Sequence, residues 1–393
     1  MRKKSFLVIL ASCILAQAQI PLQAYGAEQF DFVLYKSLAS AKAKENLLYS
    51  PYSVSSALTM TYTGANGETK EAMAQVLNLD SKHDEKTKQS ARETIDSLQK
   101  LDNGTVLEIA NTLFANKNIV FSKPFLSDNE KYFYAGTNVT DFSSPDAVNE
   151  INDWVKNKTH NRISKILDRV SGDAILYLIN AIYFKGSWQN QFKREETKKE
   201  KFHGADGKEI DAMMMSMNRN YSYAENQDFQ AIYLPYKDNR LGMFVFLPLK
   251  GKTLDDFEKK LDLKTFEKNC SLLASRPGTF KMPRFKIEDD MKLKDNLSKL
   301  GMEEAFDKTK ADFTLMTNEQ ERVFINDVIH KTFMDVNEEG TEAAAVTAVE
   351  MCMTSARMEP QTPFTMTCDR PFFVALQDMQ TKKILFMGHI NKP

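Results

Sequence analysis

Five histidines, four cysteines and nineteen methionines are the soft or titratable side chains with which this chain of 393 residues could hold a metal or attack a substrate. Their spacing decides against most of that chemistry. His83, His160, His203, His330 and His389 stand far apart, and each reads as a surface group or a buried hydrogen-bonding group rather than a ligand or base. No H-E-x-x-H, G-x-S-x-G or G-x-G-x-x-G pattern occurs, which leaves zinc-protease, serine-hydrolase and dinucleotide chemistry without local support. Gly251-Lys252-Thr253 ends like a phosphate-binding loop, but the position that must hold the first glycine is Phe246. Met213, Met214, Met215 and Met217 offer thioethers to a soft ion such as Cu(I); adaptable core filler is the expected role. No C-x-x-C exists, so neither a zinc ribbon nor a thioredoxin-like site is expected. The residues assign no catalytic group, no metal and no cofactor.

Other residues draw attention by being small. Glu338 to Glu350, EEGTEAAAVTAVE, is rich in Ala, Thr and Val, too apolar for a surface loop and too bland for a core. Ser53, Ser55, Ser56 and Thr59 give one helical stretch an unusual share of small polar side chains. Small residues of that kind let backbones or neighbouring strands approach closely.

The elements that must position these stretches follow from periodicity. Phe30, Val33, Leu34 and Leu38 form one apolar helical stripe. SPYSVSSALTMTYTGA reads as a helix with Ser50 as cap, Pro51 in the first turn and Gly64 near its end. GETKEAMAQVLNL, KHDEKTKQSARETIDSLQKL and VNEINDWVKNKTHNRI are further helices. In the second of these, acids interrupt the basic residues, so it is a solvated face rather than a polyanion site. VLEIANTLFANKN alternates as a strand, and AILYLINAIYFKGSW is a continuous apolar run, a buried strand. AIYLPYK, LGMFVFLPL, FKMPRFKIE and VFINDVIHKTFMDVNEE each predict one strand, and RPFFVALQDMQTKKILFMGHI predicts a hairpin turning at Asp378 to Lys383. No repeat, low-complexity linker or Pro/Gly-rich boundary interrupts the chain, which points to one large α+β domain.

Composition narrows the function classes. A formal net charge of −1 gives no reason to expect nucleic acid or an anionic membrane surface. Residues 1–26 read as a secretory signal peptide: Arg2, Lys3 and Lys4 precede an apolar run, and Ala16-Gln17-Ala18 and Ala24-Tyr25-Gly26 offer small-x-small cleavage sites. The expected location is therefore secreted and extracellular. Leu10-Ala11-Ser12-Cys13 leaves a periplasmic or lipid-anchored bacterial protein as the alternative. Loss of Cys13 with the leader leaves Cys270, Cys352 and Cys368, an odd number, so at least one thiol stays free.

Four stretches, in order along the chain, resemble the serpin family: SPYSVSSAL (50–58), NAIYFKGSW (180–188), VIHKTFMDVNEEGTEAAA (328–345) and CDRPFFVAL (368–376). MPRFKIE and the closing ILFMGHI add lesser matches, and the likeness covers essentially all of residues 27–393. The resemblance implies the serpin fold, a single α+β domain of about nine helices and three β-sheets, with an exposed reactive-centre loop over about 338–362. It implies suicide-substrate inhibition of serine endopeptidases, with cysteine endopeptidases as a second target class, by a monomer that is not an enzyme. The partner is the target protease, held as a covalent acyl complex. A non-inhibitory carrier or chaperone is the alternative within the family.

The resemblance also assigns residues. The hinge of the loop is Glu338, Glu339, Gly340, Thr341, Glu342, Ala343, Ala344 and Ala345. The reactive bond is Thr354–Ser355, with Met353 and Arg357 as alternative determinants of protease choice. Ser53, Ser56, Asn180 and His330 match the polar cluster, or shutter, beneath the opening sheet. Trp188, Arg284 and Glu338 match the breach where insertion begins. Cys352 stands within the loop, where oxidation would act on inhibition.

Elementary physics agrees with insertion of this loop as a strand. Alternate residues of a strand face opposite sides. With Thr341 facing the core, Ala343, Ala345, Thr347, Val349 and Met351 share its face. Glu342 and Glu350 then fall on the other, solvent face, so no charge is buried. Gly340 supplies a pivot, and no proline interrupts the ladder before Pro360. The 15 residues from Gly340 to Thr354 span about 50 Å as a strand, matching a domain whose radius of gyration is about 21 Å. About ten new backbone hydrogen bonds at roughly 1 kcal/mol each favour the inserted state, so the uncleaved chain is held kinetically.

Overall fold

The computed structural model describes residues 27–101, 104–317, 323–341 and 362–393. Nine α-helices lie among them: α1 Ala27–Ala41, α2 Pro51–Tyr62, α3 Gly67–Leu77, α4 Asp84–Leu98, α5 Lys123–Phe133, α6 Ala147–Lys158, α7 Leu254–Lys259, α8 Leu263–Ser271 and α9 Lys294–Leu297. The strands in chain order are β1 Leu47–Tyr49, β2 Val106–Asn116, β3 Thr137–Thr140, β4 Leu176–Ser187 and β5 Lys198–His203. They continue with β6 Glu209–Glu225, β7 Phe229–Pro235, β8 Leu241–Pro248, β9 Ala274–Pro283 and β10 Phe285–Lys292. The last are β11 Asp327–Asn337, β12 Gly340–Thr341, β13 Phe364–Thr367, β14 Phe372–Asp378 and β15 Ile384–Ile390.

These strands form two hydrogen-bonded sets. One is six-stranded, ordered β10-β11-β12-β4-β2-β3, with β11 also pairing β4 directly. The other is nine-stranded, ordered β1-β15-β14-β8-β7-β6-β9-β13, with β5 on β6. The mixed fold and single domain agree with the sequence reading. The expected three sheets merge into two because the 17-residue β6 pairs β5 at its start and β7 at its end, while β9 runs alongside.

Alternation along β4 shows how the layers are held. Ile182 and Phe184 join Trp188, Val245, Met282 and Phe372 in a core between the two sets of strands. Tyr177, Ile179 and Ala181, of opposite parity, pack instead with Ile151 and Val155 of α6. β4 therefore reads as a continuous apolar run because it is covered on both faces.

Helix α2 forms as its residues dictate. The Ser50 side chain caps it by accepting from the Ser53 amide at 3.2 Å, and Pro51 takes the first turn. Gly64, read as a helix end, follows the Thr63 cap. A Cβ there would stand 2.8 Å from Met316 Cβ, so close packing rather than a left-handed turn demands the glycine.

One expected strand is corrected. FKMPRFKIE is not continuous: it breaks at Arg284 into β9 and β10, which belong to different sheets. Pro283 has no amide hydrogen to continue the ladder, and the Arg284 amide is drawn to Met213 O at 2.9 Å. Met214 and Met215 are fully buried core residues of β6, while Met213 is largely exposed. Cys270 and Cys368 are both free; burial pushes the Cys270 thiol up to about 12. The leader, Cys13 and Cys352 lie outside the described residues.

Candidate functional site

Three adjacent strands carry one polar row. Asn111 on β2 stands opposite Asn180 on β4, and Asn180 stands opposite His330 on β11. The Asn180 and His330 side chains are wholly buried. His330 Nε2 accepts the Ser50 amide at 3.0 Å, so the ring proton sits on Nδ1, which donates to Asn180 Oδ1. Burial holds this imidazole down at about 3, and the neutral ring is the form this pattern requires. The Asn180 amide donates to Ser53 O at 2.8 Å and also to Ser53 Oγ and Asn111 Oδ1. Asn111 donates in turn to Ser56 Oγ at 3.2 Å. Helix α2 is thereby bonded to the sheet through neutral groups, with no ion pair at the seam to desolvate or separate.

Above this row the two central strands part. β11 and β4 pair directly, in parallel, only from Asp327–Thr332 and Tyr177–Ile182. Farther on, Gly340 and Thr341 lie between them, antiparallel to both: Thr341 opposes Val336 and Gly186, and Gly340 opposes Asn337 and Ser187. The expectation of an exposed loop beginning at 338 is corrected here, because Glu338, Glu339, Gly340 and Thr341 are all buried. The reason is geometric. The gap beyond Thr332 and Ile182 leaves edge groups of both strands to satisfy, and a hairpin turning at Glu338 and Glu339 closes its far end, opposite Gly186, Ser187, Val336 and Asn337. Gly340 is more than a pivot: its φ is +149°, and a Cβ would stand 2.1 Å from Gly186 O.

Side chains and backbone of residues 188–197, together with Arg284, fasten this turn. The amides of Trp188 and Phe192 donate to Glu339 O and Glu338 O, each at 2.9 Å. Trp188 Nε1 donates to Asn337 O at 3.0 Å. Arg284 pairs with the Glu338 carboxylate, Nη2 to Oε1 at 2.6 Å, and Thr197 donates to the same oxygen. Burial pushes that carboxyl upward, but the bonds from Arg284 and Thr197 outweigh it and hold it below the ordinary range. Arg194 pairs with Glu339. Thr341 faces inward, its hydroxyl 2.7 Å from that of Tyr236, and Tyr236 stacks on Trp188 with ring centroids 4.5 Å apart.

The structure thus brings Ser53, Ser56, Asn180 and His330 together at one level, and Trp188, Arg284 and Glu338 at another. Glu342, Ala343, Ala344, Ala345, Met353, Thr354, Ser355 and Arg357 lie outside the described residues. Asn111, Tyr236, Arg194 and Gly186 are the partners that sequence reading missed. Asn111 had a signal: it is a lone amide in the apolar alternation of EIANTLF, and a buried amide requires partners. Gly186 and Tyr236 had none, since both answer to contacts made across the fold.

The comparisons agree with this geometry. The family model described as "Serpin (serine protease inhibitor)" matches residues 25–393, and the chain belongs to the serpin family. It is 35% identical over 367 residues to an uncharacterized serpin-like protein of Thermococcus kodakarensis, covering 93% of this chain and 84% of that one. Its structure is similar to native tengpin, a thermophilic serpin, with a TM-score of 0.85, 30% identity and 94% of each chain covered. It is also similar to human thyroxine-binding globulin complexed with thyroxine, with a TM-score of 0.85, 26% identity, and 93% and 97% of the two chains covered.

Proposed function

We propose that this serpin is a suicide-substrate inhibitor of serine endopeptidases, with cysteine endopeptidases as a second target class. The protease nucleophile attacks the Thr354 carbonyl, forming an acyl-enzyme and releasing the Ser355 amine. The severed loop then enters the six-stranded sheet between β4 and β11 before water hydrolyses the acyl bond. The protein is exported on the leader 1–26, acts as a monomer and catalyses no turnover of its own.

The observation that carries this reading is the placement of Gly340 and Thr341 between β4 and β11. Continuing that antiparallel register two residues at a time gives each inward loop residue two neighbours. Ala343 falls between Phe184 and Met334, Ala345 between Ile182 and Thr332, and Thr347 between Asn180 and His330. Small side chains meet large ones, and the first hydroxyl after Thr341 on this face meets the polar row. A helical or purely exposed role for EEGTEAAAVTAVE gives no reason for that order.

Incubation with a panel of elastase-, chymotrypsin- and trypsin-like proteases tests the proposal. The expected result is a complex that survives SDS, with release of a C-terminal fragment beginning at Ser355. A fragment beginning at Met358 makes Arg357 the determinant, and one beginning at Thr354 makes it Met353. Complete cleavage without any complex favours the second reading, a non-inhibitory carrier, to which the likeness to thyroxine-binding globulin lends support.

A further inference from the structure

A cavity of about 340 Å³ opens beside the hinge, walled by Trp188, Phe192, Tyr221 and Leu234. Its volume lies at the lower end of the range for small-molecule clefts. Trp188, Phe192, Tyr221 and Leu234 are all nearly fully buried, so the floor is a fixed aromatic and aliphatic surface. Arg219 and Asn190 are polar side chains of the lining without a side-chain hydrogen-bond partner among the described residues. Arg219 donates from Nε to Asn220 O at 3.1 Å and sits 5.6 Å from the Tyr221 ring centroid, but no carboxylate among the described residues pairs with it. The half-buried Asn190 amide likewise has no side-chain partner among them.

The geometry points to a binding site for a small planar aromatic carboxylate. Flat rings stack on aromatic walls in offset or edge-on arrangements. A guanidinium free of other anions receives a carboxylate through two parallel N–H donors, and the Asn190 amide supplies a further donor at the rim. A cationic ligand would meet Arg219, and an uncharged aliphatic one would leave both polar groups unpaired. The site is independent of inhibition: it requires only the cavity and its lining, and protease capture enters nowhere in the inference.

Trp188 makes the site observable. The chain has two tryptophans, Trp154 and Trp188, so Trp154→Phe leaves the cavity wall as the sole indole reporter. Titrating that variant with naphthalene-2-carboxylate is expected to quench Trp188 fluorescence saturably and to raise the thermal midpoint with ligand concentration. Arg219→Gln on the same background is expected to weaken binding at least tenfold, and naphthalene-2-carboxamide to bind at least tenfold more weakly than the acid. Absence of saturable quenching overturns the site. Equal binding of acid and amide, or no effect of Arg219→Gln, overturns the ligand class. Arg219 is partly exposed and has no carboxylate partner among the described residues, so its replacement is expected to leave the fold intact, which the unliganded thermal midpoint verifies.

Discussion

Thr341 and Tyr236 share a hydrogen bond of 2.7 Å between hydroxyls that are both fully buried. One residue begins the segment proposed to insert; the other belongs to the opposite sheet's segment between β7 and β8 and is stacked on Trp188. The inward side chain of β12 is thus docked on the opposite sheet. Tyr236→Phe strands the Thr341 hydroxyl in an apolar setting, and a loss of about 1–2 kcal/mol is expected, read as a lower urea midpoint with unchanged slope. An unaltered midpoint would show that the hydroxyl pair contributes nothing.

Parity gives the next expectation. Thr341 points inward, whereas Glu342 takes the opposite face if the strand continues. Thr341→Arg places a charge in the core between the sheets and should turn the inhibitor into a substrate, cleaved with little stable complex. Glu342→Arg should leave most complex formation intact. Equal damage from both changes, measured as complex formed per loop cleaved, removes the parity argument.

Gly340→Ala tests the close approach. The new Cβ would meet backbone atoms Gly186 O and Ser187 Cα at 2.1 and 2.7 Å, which no side-chain rotation can relieve. β12 should be expelled from the sheet, and amide exchange at its register partners Gly186 and Asn337 should accelerate tenfold or more. Retained protection of those amides would mean that β12 is not held by this contact.

Much of this was legible beforehand because alternation and turn chemistry are local. The buried run of β4, the capped α2 and the β14–β15 hairpin follow from neighbours in sequence. The break at Arg284 was hidden because Pro283 is tolerated on an edge as well as between strands, and only the pull of Met213 O decides between them. The burial of Glu338 to Thr341 was hidden for a different reason. Two acids before a glycine look exposed until Arg284, Thr197 and Arg194 are brought to them from distant elements. Asn111 does not follow from its register partner Asn180, because strand pairing is not written in either strand alone.

Acid should act through His330. Its folded value of about 3 lies below the roughly 6.5 of a free histidine. Above that unfolded value the ring is neutral in both states, and the stability of the buried neutral ring is fully present. As pH falls from about 6.5 toward 3, the unfolded chain takes up a proton that the native one refuses, and stability drops by roughly 1.4 kcal/mol per unit from this group. Urea unfolding between pH 6 and 5 should show that loss, and His330→Gln should flatten it by one proton's worth. An identical slope in the variant would assign the acid sensitivity elsewhere.

The proposed inhibition requires the loop to become a strand between β4 and β11, and the most direct test of that insertion is the stability of the protein after cleavage. Intact chain and chain cut once near Thr354, freed of protease, are unfolded in parallel by heat. Insertion adds about ten backbone hydrogen bonds, on the order of 10 kcal/mol before packing. The cut protein should therefore unfold at a temperature higher by ten degrees or more. A cut protein that melts at or below the midpoint of the intact chain would contradict insertion, and with it the proposed mechanism of inhibition.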